Sequence, residues 1–386
     1  MNIKNINNEY IANTYARYDI ELVRGKGALA YDETGREYID CTSGVGCTAF
    51  GHCDETLVAA ITAQAGEMIH SSNYFYNRPA TLLAQAICQR TGMSKVFFSN
   101  SGTEATEGAI KAARKYSHDK YGDGRSTIIC LRDSFHGRTM TALSATGQDD
   151  FHQHFFPFPQ GFVFVNADDI AGLDTAMDGT VCAVLMEVVQ GEGGVNVLSQ
   201  DYVQAAAKMA AEHDILLIID EVQTGNGRCG ALYGYMNFGI KPDIFYTAKG
   251  LGGGLPIGAI VFNEKTAGVL SAGKHGSTFG GNPLCTAGAL SVFERLDDAL
   301  FVDVWRKYDI IDERLRDLPK VKSISGMGLM LGIELEGIEA KEVVQKCIER
   351  GVIFLTAKHK LRLLPPLNIT DEQLGRALDV LCEVLG

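Results

Sequence analysis

The chain has 386 residues, of which 46% are hydrophobic and 21% are charged, and its formal net charge at pH 7 is −12. Such a chain is long enough to bury a large core and to build two lobes. The negative charge argues against general nucleic-acid binding, which needs a basic surface. No apolar run approaches the roughly 20 residues that cross a bilayer. Residues 1–10 lack the layout of a secretory signal, so we expect a cytoplasmic protein without membrane contact.

The ten cysteines are scattered and form no C-x-x-C pair. Cys130 lies inside an apolar, strand-like run, which is typical of a buried free thiol in a reducing compartment. Cys41, Cys47, His52 and Cys53 do not have the spacing of usual zinc ligands, so the sequence predicts no metal site.

The order of the predicted elements indicates the fold class. Residues 28–31 and 37–40 flank an Asp-Glu-Thr-Gly turn and predict a hairpin in an N-terminal arm. From about residue 80 helices and strands alternate, with helices over 80–91, 103–117 and 200–213 and strands over 95–98, 127–131, 162–166, 181–189, 215–220, 243–247 and 258–262. Several of these strands are continuously apolar, as in strands covered on both faces. The alternation predicts an α/β domain whose mostly parallel sheet is flanked by helices.

The last hundred residues have a different pattern. An amphipathic stretch over 285–315 precedes short strands near 330–335 and 361–364 and helices over 340–350 and 371–385. This pattern predicts a smaller α+β lobe. We therefore divide the chain into an N-terminal arm with part of the small lobe (1–52), a large domain (53–293) and a C-terminal small domain (294–386).

Lys249 is the first candidate for chemistry. It follows an apolar strand and precedes a cluster of glycines. A lysine at this point projects from the carboxyl edge of the sheet, where open α/β folds bind ligands. Partial burial lets a lysine lose its proton, as imine chemistry requires. The alternative is an ordinary surface lysine after a strand.

Asp220 is the second candidate, because five apolar residues lead directly into it. A carboxylate at the buried end of a strand needs a partner, since an unpaired buried charge is costly. That partner is either a structural arginine or helix N-terminus, or the protonated ring nitrogen of a pyridine cofactor. Asp220 and Lys249 are 29 residues apart. This spacing suits one helix-containing crossover and predicts that both face one crevice.

Ser101, Gly102 and Thr103 follow a strand and open a helix. Hydroxyl groups, a glycine and the free N–H groups of a helix start suit a phosphate dianion. An ordinary serine cap with an acidic first turn is the equal alternative. The segment is not a Walker loop, and residues 250–255 do not have the spacing of a dinucleotide-binding fingerprint.

Together these segments resemble the class III aminotransferases, which are subgroup II pyridoxal-phosphate enzymes of fold type I, and are most similar to the acetylornithine aminotransferase family. The resemblance extends from about residue 15 to 367. Seven motifs in the same order carry it, at residues 99–105, 135–139, 190–194, 220–225, 248–254, 276–283 and 361–367.

The resemblance implies pyridoxal 5'-phosphate as the cofactor, with Lys249 holding it as a Schiff base and moving a proton between two carbons. Asp220 is then expected to pair with the ring nitrogen. Phe135 and Val222 are expected to contact the two ring faces, and Gln223 to reach the phenolic oxygen.

The same resemblance assigns the phosphate and implies a homodimer. Ser101, Gly102 and Thr103 are expected to bind the phosphate together with the partner subunit's Thr278. The site would therefore lie at the subunit interface.

Two arginines are implied to bind the substrates, because the planar fork of arginine suits a carboxylate. Arg362 is expected to take the α-carboxylate of glutamate and Arg138 its distal carboxylate. With an acylornithine, Arg138 would hold the only carboxylate and Glu192 would neutralise Arg362.

The resemblance thus implies a transaminase of arginine biosynthesis. It would move the distal amino group of N2-acetylornithine to 2-oxoglutarate, giving N-acetylglutamate 5-semialdehyde and glutamate. Succinylornithine, ornithine, 4-aminobutyrate and N-succinyl-diaminopimelate are alternative amines, and a non-catalytic cofactor-binding protein is an alternative of another class. Val188 stands where the family usually has proline, and Asp54 and Glu55 stand where it has His-Pro. These departures leave the choice of amine open.

Overall fold

The computed structural model describes residues 3–386, so Met1 and Asn2 of the predicted arm lie outside the described residues. Within this range the strands are β1 (Leu22–Lys26), β2 (Leu29–Asp32), β3 (Glu37–Asp40), β4 (Lys95–Ser99), β5 (Thr127–Leu131), β6 (Phe162–Val165), β7 (Val181–Met186), β8 (Val189–Gln190), β9 (Asn196–Val197), β10 (Leu216–Asp220), β11 (Ile244–Thr247), β12 (Gly258–Phe262), β13 (Val321–Met327), β14 (Met330–Leu335), β15 (Val352–Ile353), β16 (Leu355–Ala357) and β17 (Lys360–Leu363).

The helices of the same range are α1 (Ile3–Tyr10), α2 (Ser43–Gly46), α3 (Glu55–Glu67), α4 (Arg78–Thr91), α5 (Gly102–Tyr121), α6 (Met140–Ala145), α7 (Ile170–Ala176), α8 (Gln200–Glu212), α9 (Pro283–Phe293), α10 (Asp298–Leu315), α11 (Ala340–Ile348) and α12 (Asp371–Leu385). None of them is long and apolar enough to cross a membrane.

A seven-stranded sheet in the order β4-β12-β11-β10-β7-β5-β6 forms the centre of the large domain. β12 runs antiparallel to both of its neighbours, and the pairs within β11-β10-β7-β5-β6 are parallel. Along β10, Leu216 and Ile218 belong to the core cluster that contains the buried face of α5, whereas Leu217 and Ile219 belong to the cluster that contains α8. Both faces of the sheet are therefore covered, and the predicted α/β fold is confirmed.

Two smaller sheets use the ends of the chain. β1, β2 and β3 form one sheet with β15, which pairs in parallel with β3 although more than 300 residues separate them. β13, β14, β17 and β16 form the other. The predicted hairpin is present as β2 and β3, and the additional pairing to β15 connects the N-terminal segment to the C-terminal region. The limits of the three predicted segments stay a prediction.

Three predicted elements differ from the structure. The stretch over 285–315 is two helices, α9 and α10, because Asp297 accepts a hydrogen bond from the backbone N–H of Leu300 and begins a new helix. The predicted strand over 181–189 is interrupted between β7 and β8. The connection from β10 to β11 contains a 3₁₀ segment, Gly234–Phe238, in place of the expected helix.

The departures at residues 54 and 55 have local explanations. Asp54 caps α3 by accepting from the N–H of Leu57 at 2.9 Å. It also forms a bidentate ion pair with Arg295, with N···O distances of 2.9 and 2.8 Å. Glu55 is exposed and pairs with Lys26 at 3.0 Å. Asp54 therefore stabilises α3, and the exposed pair of Glu55 contributes little.

Glu221 stabilises the loop that follows β10. Its fully buried carboxylate accepts hydrogen bonds from the hydroxyl of Thr224 at 2.6 Å and from the N–H groups of Gly234 and Tyr235 at 2.8 and 2.7 Å. Burial raises the pKa of Glu221 from 4.5 to about 7. One carboxylate therefore joins the start of this loop to its 3₁₀ segment, and its pKa lies near neutral pH.

This shift predicts a pH dependence of stability. A pKa raised by folding contributes stability that is fully present below about 4.5 and is lost as the pH rises through about 7, up to roughly 3 kcal/mol. Glu221→Gln has one acceptor oxygen in place of two, so it makes fewer of these hydrogen bonds, and its side chain does not titrate. We expect its deficit in melting temperature relative to the wild type to shrink between pH 5.5 and 8.5. In the control Glu334→Gln the deficit should be constant over this range, because Lys322 holds the pKa of Glu334 below 4.5. A constant deficit for Glu221→Gln would contradict the shift.

Arg228 connects the large domain to the C-terminal region. It is buried, and burial lowers its pKa to about 10. Its Nη1 donates to the carbonyls of Leu329, between β13 and β14, and Pro365, after β17, at 2.9 and 2.5 Å. The backbone of Leu329 donates in return to the carbonyl of Arg228 at 2.9 Å. These contacts fix β17 relative to the large sheet.

We expect Arg228→Ala to lower the free energy of unfolding by roughly 3 kcal/mol, because it leaves two buried carbonyls without a donor and opens a cavity. Urea unfolding at a fixed protein concentration measures this loss. The control is Arg376→Ala, which removes an exposed ion pair with Glu37 and is expected to cost less than about 1 kcal/mol. Equal losses in the two variants would show that Arg228 has no special role.

Candidate active site

The carboxyl ends of the parallel strands surround a cavity of about 450 Å³. Nine of the predicted site residues line it: Ser101, Gly102, Thr103, Phe135, Arg138, Asp220, Val222, Gln223 and Lys249. Glu192 and Arg362 lie beyond Gln223, to which Glu192 is hydrogen-bonded. Thr278 lines a different cavity. The sheet edge therefore brings together nearly all of the predicted residues.

Lys249 lies directly after β11 with φ of 42°, in the left-handed region that disfavours side chains by roughly 1–2 kcal/mol. It begins a 3₁₀ turn, Lys249–Gly252, and its side chain enters the cavity. Burial lowers its pKa, and Arg362 adds to this effect, while Glu192, Cys47 and Asp220 oppose it. The lysine thus loses its proton more readily than a solvated one, as a nucleophilic amine must.

Asn226 holds the backbone before Lys249. Its side-chain amide donates to the hydroxyl of Thr247 at 2.8 Å and to the carbonyl of Ala248 at 3.2 Å. Asn226 itself has φ of 58°, which asparagine tolerates better than most residues. This role of Asn226 was not predicted from the sequence.

Asp220 ends β10 with both carboxylate oxygens hydrogen-bonded. Oδ2 faces Nδ1 of His136 at 2.8 Å and accepts from the hydroxyl of Tyr246 at 2.8 Å, and Oδ1 accepts from the N–H of Val222 at 2.9 Å. Burial and the nearby Asp220 raise the pKa of Tyr246, so the phenol keeps its proton and donates. The partners inside the protein are therefore an imidazole and a phenol, not the arginine or helix N-terminus of the structural alternative.

His136 is in hydrogen-bond contact with Asp220 and Tyr246 through Nδ1, so its ring proton belongs on that nitrogen. The imidazole and the phenol thus orient the carboxylate from within the protein. Neither residue was predicted from the sequence. Tyr246 is the register partner of Asp220 on the neighbouring strand, which only the strand order could reveal.

Glu187 follows β7 and is buried at the cavity wall. Its oxygens accept from the N–H of Phe135 at 2.9 Å and of Gly191 at 3.3 Å. Burial and the carboxylate of Asp220 raise the pKa of Glu187 well above its usual value. Glu187 therefore positions the Phe135 backbone and the start of the 191–194 turn, as a supporting residue.

The start of α5 has features of both alternatives predicted for residues 101–103, the serine cap and the phosphate site. The Ser101 hydroxyl caps the helix by accepting from the N–H of Glu104 at 3.2 Å. The N–H groups of a first helical turn have no partner within the helix and attract anions, and those of Gly102 and Thr103 are at the cavity. A Cβ on Gly102 would come within 2.9 Å of the methyl groups of Val222. The absence of a side chain here allows the helix start to pack against Val222.

The two predicted arginines differ in their partners. Arg138 is exposed, and its guanidinium carbon lies 3.9 Å from the ring centroid of Phe151. Arg362 is buried, and its Nη1 lies 2.5 Å from Oε1 of Glu192. Burial acts to raise the pKa of Glu192, but Arg362 and Lys249 hold it below its usual value. The predicted neutralising pair is thus formed in the structure.

Thr278 is separated from the Lys249 cavity within this chain. It lines a cavity beside the start of α5, together with Ser99, Asn100 and Glu104. The neighbouring Ser277 accepts from the side chain of Asn100 at 3.0 Å. The structure therefore does not bring Thr278 to the other predicted phosphate ligands of the same chain.

Sequence similarity to known proteins extends over nearly the whole chain. The family model described as aminotransferase class-III matches residues 10–385. Acetylornithine aminotransferase from Haemophilus ducreyi is 52% identical over 386 residues, which are 100% of this chain and 98% of that protein. Acetylornithine aminotransferase from Caldanaerobacter subterraneus is 46% identical over 384 residues, 98% of each chain.

Solved structures are similar over nearly the whole chain. Ornithine aminotransferase from Toxoplasma gondii, in a structure with partial occupancy of PLP at its active site, has a TM-score of 0.94 and 32% identity, covering 99% of this chain and 93% of that one. N-acetylornithine aminotransferase from Stenotrophomonas maltophilia has a TM-score of 0.85 and 32% identity, covering 98% and 97%. The chain belongs to the class III aminotransferase family.

Proposed function

We propose that this chain is a pyridoxal-phosphate transaminase that moves the distal amino group of N2-acetylornithine to 2-oxoglutarate. The observation that carries the proposal is the placement of Lys249 and Asp220 in one cavity, with Arg138 in no ion pair within residues 3–386 and Arg362 paired to Glu192. The products would be N-acetylglutamate 5-semialdehyde and glutamate, a step of arginine biosynthesis.

The residues of the cavity fit this cofactor. Lys249 would hold its aldehyde carbon, the carboxylate of Asp220 its ring nitrogen, and the N–H groups of Gly102 and Thr103 its phosphate. Phe135 and Val222 of the same cavity are the expected contacts of the two ring faces, and Gln223 that of the phenolic oxygen. When bound, the cofactor supplies an electron sink for negative charge on the carbon that carries the amine.

Lys249 is proposed to move the proton that the reaction transfers between carbons. Its lowered pKa makes the neutral amine more available than that of a solvated lysine, and a base of this kind accepts and returns a proton at Nζ. Asp220 would keep the ring nitrogen protonated, with its carboxylate oriented by His136 and Tyr246.

The two arginines explain how one cavity can bind two substrates. Arg138 would bind the carboxylate of acetylornithine while Glu192 remains on Arg362, so that no bare cation faces the uncharged part of that substrate. Glutamate has a second carboxylate, which would displace Glu192 from Arg362. Gln223 donates to the same oxygen of Glu192 at 3.3 Å and would retain hydrogen bonding when the pair opens.

Acetylornithine is favoured over the other amines by two relatives with that name at 52% and 46% identity. Ornithine is the second candidate, because the ornithine aminotransferase structure has a TM-score of 0.94. Acetylornithine and ornithine each have a single carboxylate, and the Glu192–Arg362 pair suits such a substrate. The choice between them therefore depends on the acyl group.

We further propose a homodimer in which the partner subunit's Thr278 completes the phosphate site. Around the Thr278 segment several large apolar side chains are exposed, namely Met68, Ile69, Tyr74, Phe75, Tyr76 and Phe279. The side chain of Asn73 donates to the carbonyls of Ser277 and Gly280, which joins these two segments. A contiguous exposed apolar surface is typical of a subunit interface.

We also propose a cytoplasmic location and the three segments of the chain given above. Six of the ten cysteines are buried and all ten are free, which supports a reducing compartment such as the cytoplasm. The sheets formed by the two ends of the chain support the division into segments 1–52, 53–293 and 294–386.

We expect the cofactor-loaded protein to form glutamate from acetylornithine and 2-oxoglutarate with a kcat/KM about 100-fold above that for ornithine or 4-aminobutyrate. A few pocket contacts provide such a ratio, about 2.7 kcal/mol. Lys249→Ala should abolish turnover, because the neutral amine is lost. The Asn226→Ala variant is the informative comparison, since it retains the amine and should lose only part of the rate. Equal rates with all amines would refute acetylornithine as the preferred substrate. An active Lys249→Ala protein would refute the proposed role of Lys249.

The dimer proposal predicts complementation between two damaged subunits. Thr278→Ala weakens cofactor binding and Lys249→Ala removes the amine. In a mixed dimer with two-fold symmetry, one site combines the intact Lys249 of one subunit with the intact partner subunit's Thr278. At limiting cofactor, random mixing should therefore restore about a quarter of the wild-type activity. Activity no higher than the mean of the two parent proteins would place Thr278 in the site of its own chain.

A further inference from the structure

We propose that Phe151 is a substrate-positioning residue, whose ring orients the guanidinium of Arg138 for a substrate carboxylate. This inference rests on the proposed function, in which Arg138 binds a carboxylate in both half-reactions. It adds a residue from outside the seven motifs.

The guanidinium of Arg138 lies near two aromatic rings. Its central carbon lies 3.9 Å from the ring centroid of Phe151 and 5.4 Å from that of Phe135. The two rings are 5.9 Å apart and inclined at 80°, an edge-to-face pair. A cation within about 6 Å of an aromatic centroid is attracted by the ring's electron density. Phe151 makes the closer of the two contacts.

This way of holding an arginine leaves its N–H groups available. Within residues 3–386 no carboxylate forms an ion pair with Arg138, whereas Arg362 is paired with Glu192. The side chain of Asp149, two residues before Phe151, is almost fully exposed and approaches His152. An acid beside Arg138 would occupy donors that the substrate needs and would have to be displaced. An aromatic face orients the cation without using any of its five N–H donors.

The position of Phe151 is fixed by the surrounding backbone. It ends a 3₁₀ turn, Asp149–Phe151, in which its N–H donates to the carbonyl of Gln148 at 3.1 Å. The side chain of Gln148 donates in turn to the carbonyl of Ser134 at 3.1 Å, and His152 is bonded to the carbonyl of Leu143 at 2.8 Å. The turn is therefore attached to the segment that carries Phe135, so both rings keep one spacing.

The test replaces the ring while keeping an apolar side chain. We expect Phe151→Leu to raise KM for acetylornithine and for glutamate together by roughly threefold to thirtyfold, the range of a cation–π contact, with kcat changed less than twofold. Phe151→Tyr should restore wild-type values because it keeps the ring. The control is Phe156→Leu, whose exposed ring contacts Phe158 in the same loop and should have no effect on either constant.

A second measurement separates positioning from general loop damage. Titration of the cofactor-loaded protein with glutarate, an unreactive dicarboxylate, should give a dissociation constant raised by the same factor in Phe151→Leu. In an Arg138→Ala background the Phe151→Leu change should have no further effect, since the cation is absent. An unchanged KM and glutarate affinity in Phe151→Leu, a loss confined to kcat, or an equal loss in the Arg138→Ala background would overturn the proposal.

These results are independent of the choice of amine. If acetylornithine is not a substrate, glutamate KM and glutarate binding still test Phe151, so failure of the proposed function and failure of this inference are distinguishable. If acetylornithine is turned over and Phe151→Leu retains wild-type constants, the function stands and the role of Phe151 falls.

Discussion

A single buried carboxylate, that of Asp220, determines how the rest of the cavity is arranged. A charge at the end of a covered strand is stable only if its oxygens are hydrogen-bonded, and here three donors converge on it from His136, Tyr246 and the backbone of Val222. The carboxylate is therefore held by donors of the protein at the wall of the cavity, where a cationic ring nitrogen could pair with it.

The same sheet edge explains why chemistry from distant parts of the chain converges. β7, β10 and β11 are neighbours and run parallel, so their carboxyl ends deliver Glu187, Asp220 and Lys249 to one edge. β4 lies at the end of the sheet beside β12 and leads into the first turn of α5. The C-terminal strand β17 arrives from another sheet, and Arg228 fixes its far end to the loop after β10. Arg362 thereby meets Glu192 across two parts of the molecule that fold from separate segments.

Periodicity was sufficient to predict the strands of the large sheet, because both of its faces are covered and the strands read as continuous apolar runs. It failed where a side chain decides the structure, as at Asp297, which begins a helix inside an amphipathic stretch. For the site, motifs indicated the residues that project into the cavity. The residues behind them were not predictable in this way: Tyr246 depends on the order of β10 and β11, and Asn226 and Phe151 act through contacts with no sequence period.

The charges around the cavity can be considered together. Glu187 has a raised pKa and Lys249 a lowered one, so burial drives both toward their neutral forms. Glu192 and Arg362 cancel one another. The carboxylate of Asp220 at the cavity wall and the exposed guanidinium of Arg138 are the other charged groups among the predicted site residues. A substrate with one amine and one carboxylate can align with this pair, because its anion meets Arg138 while its nitrogen faces Lys249. A dicarboxylate has a second carboxylate that Arg138 does not bind. Opening of the Glu192–Arg362 pair would make Arg362 available to that carboxylate. Under the proposed function, this asymmetry between the two arginines is the physical basis on which one cavity would distinguish its two classes of substrate.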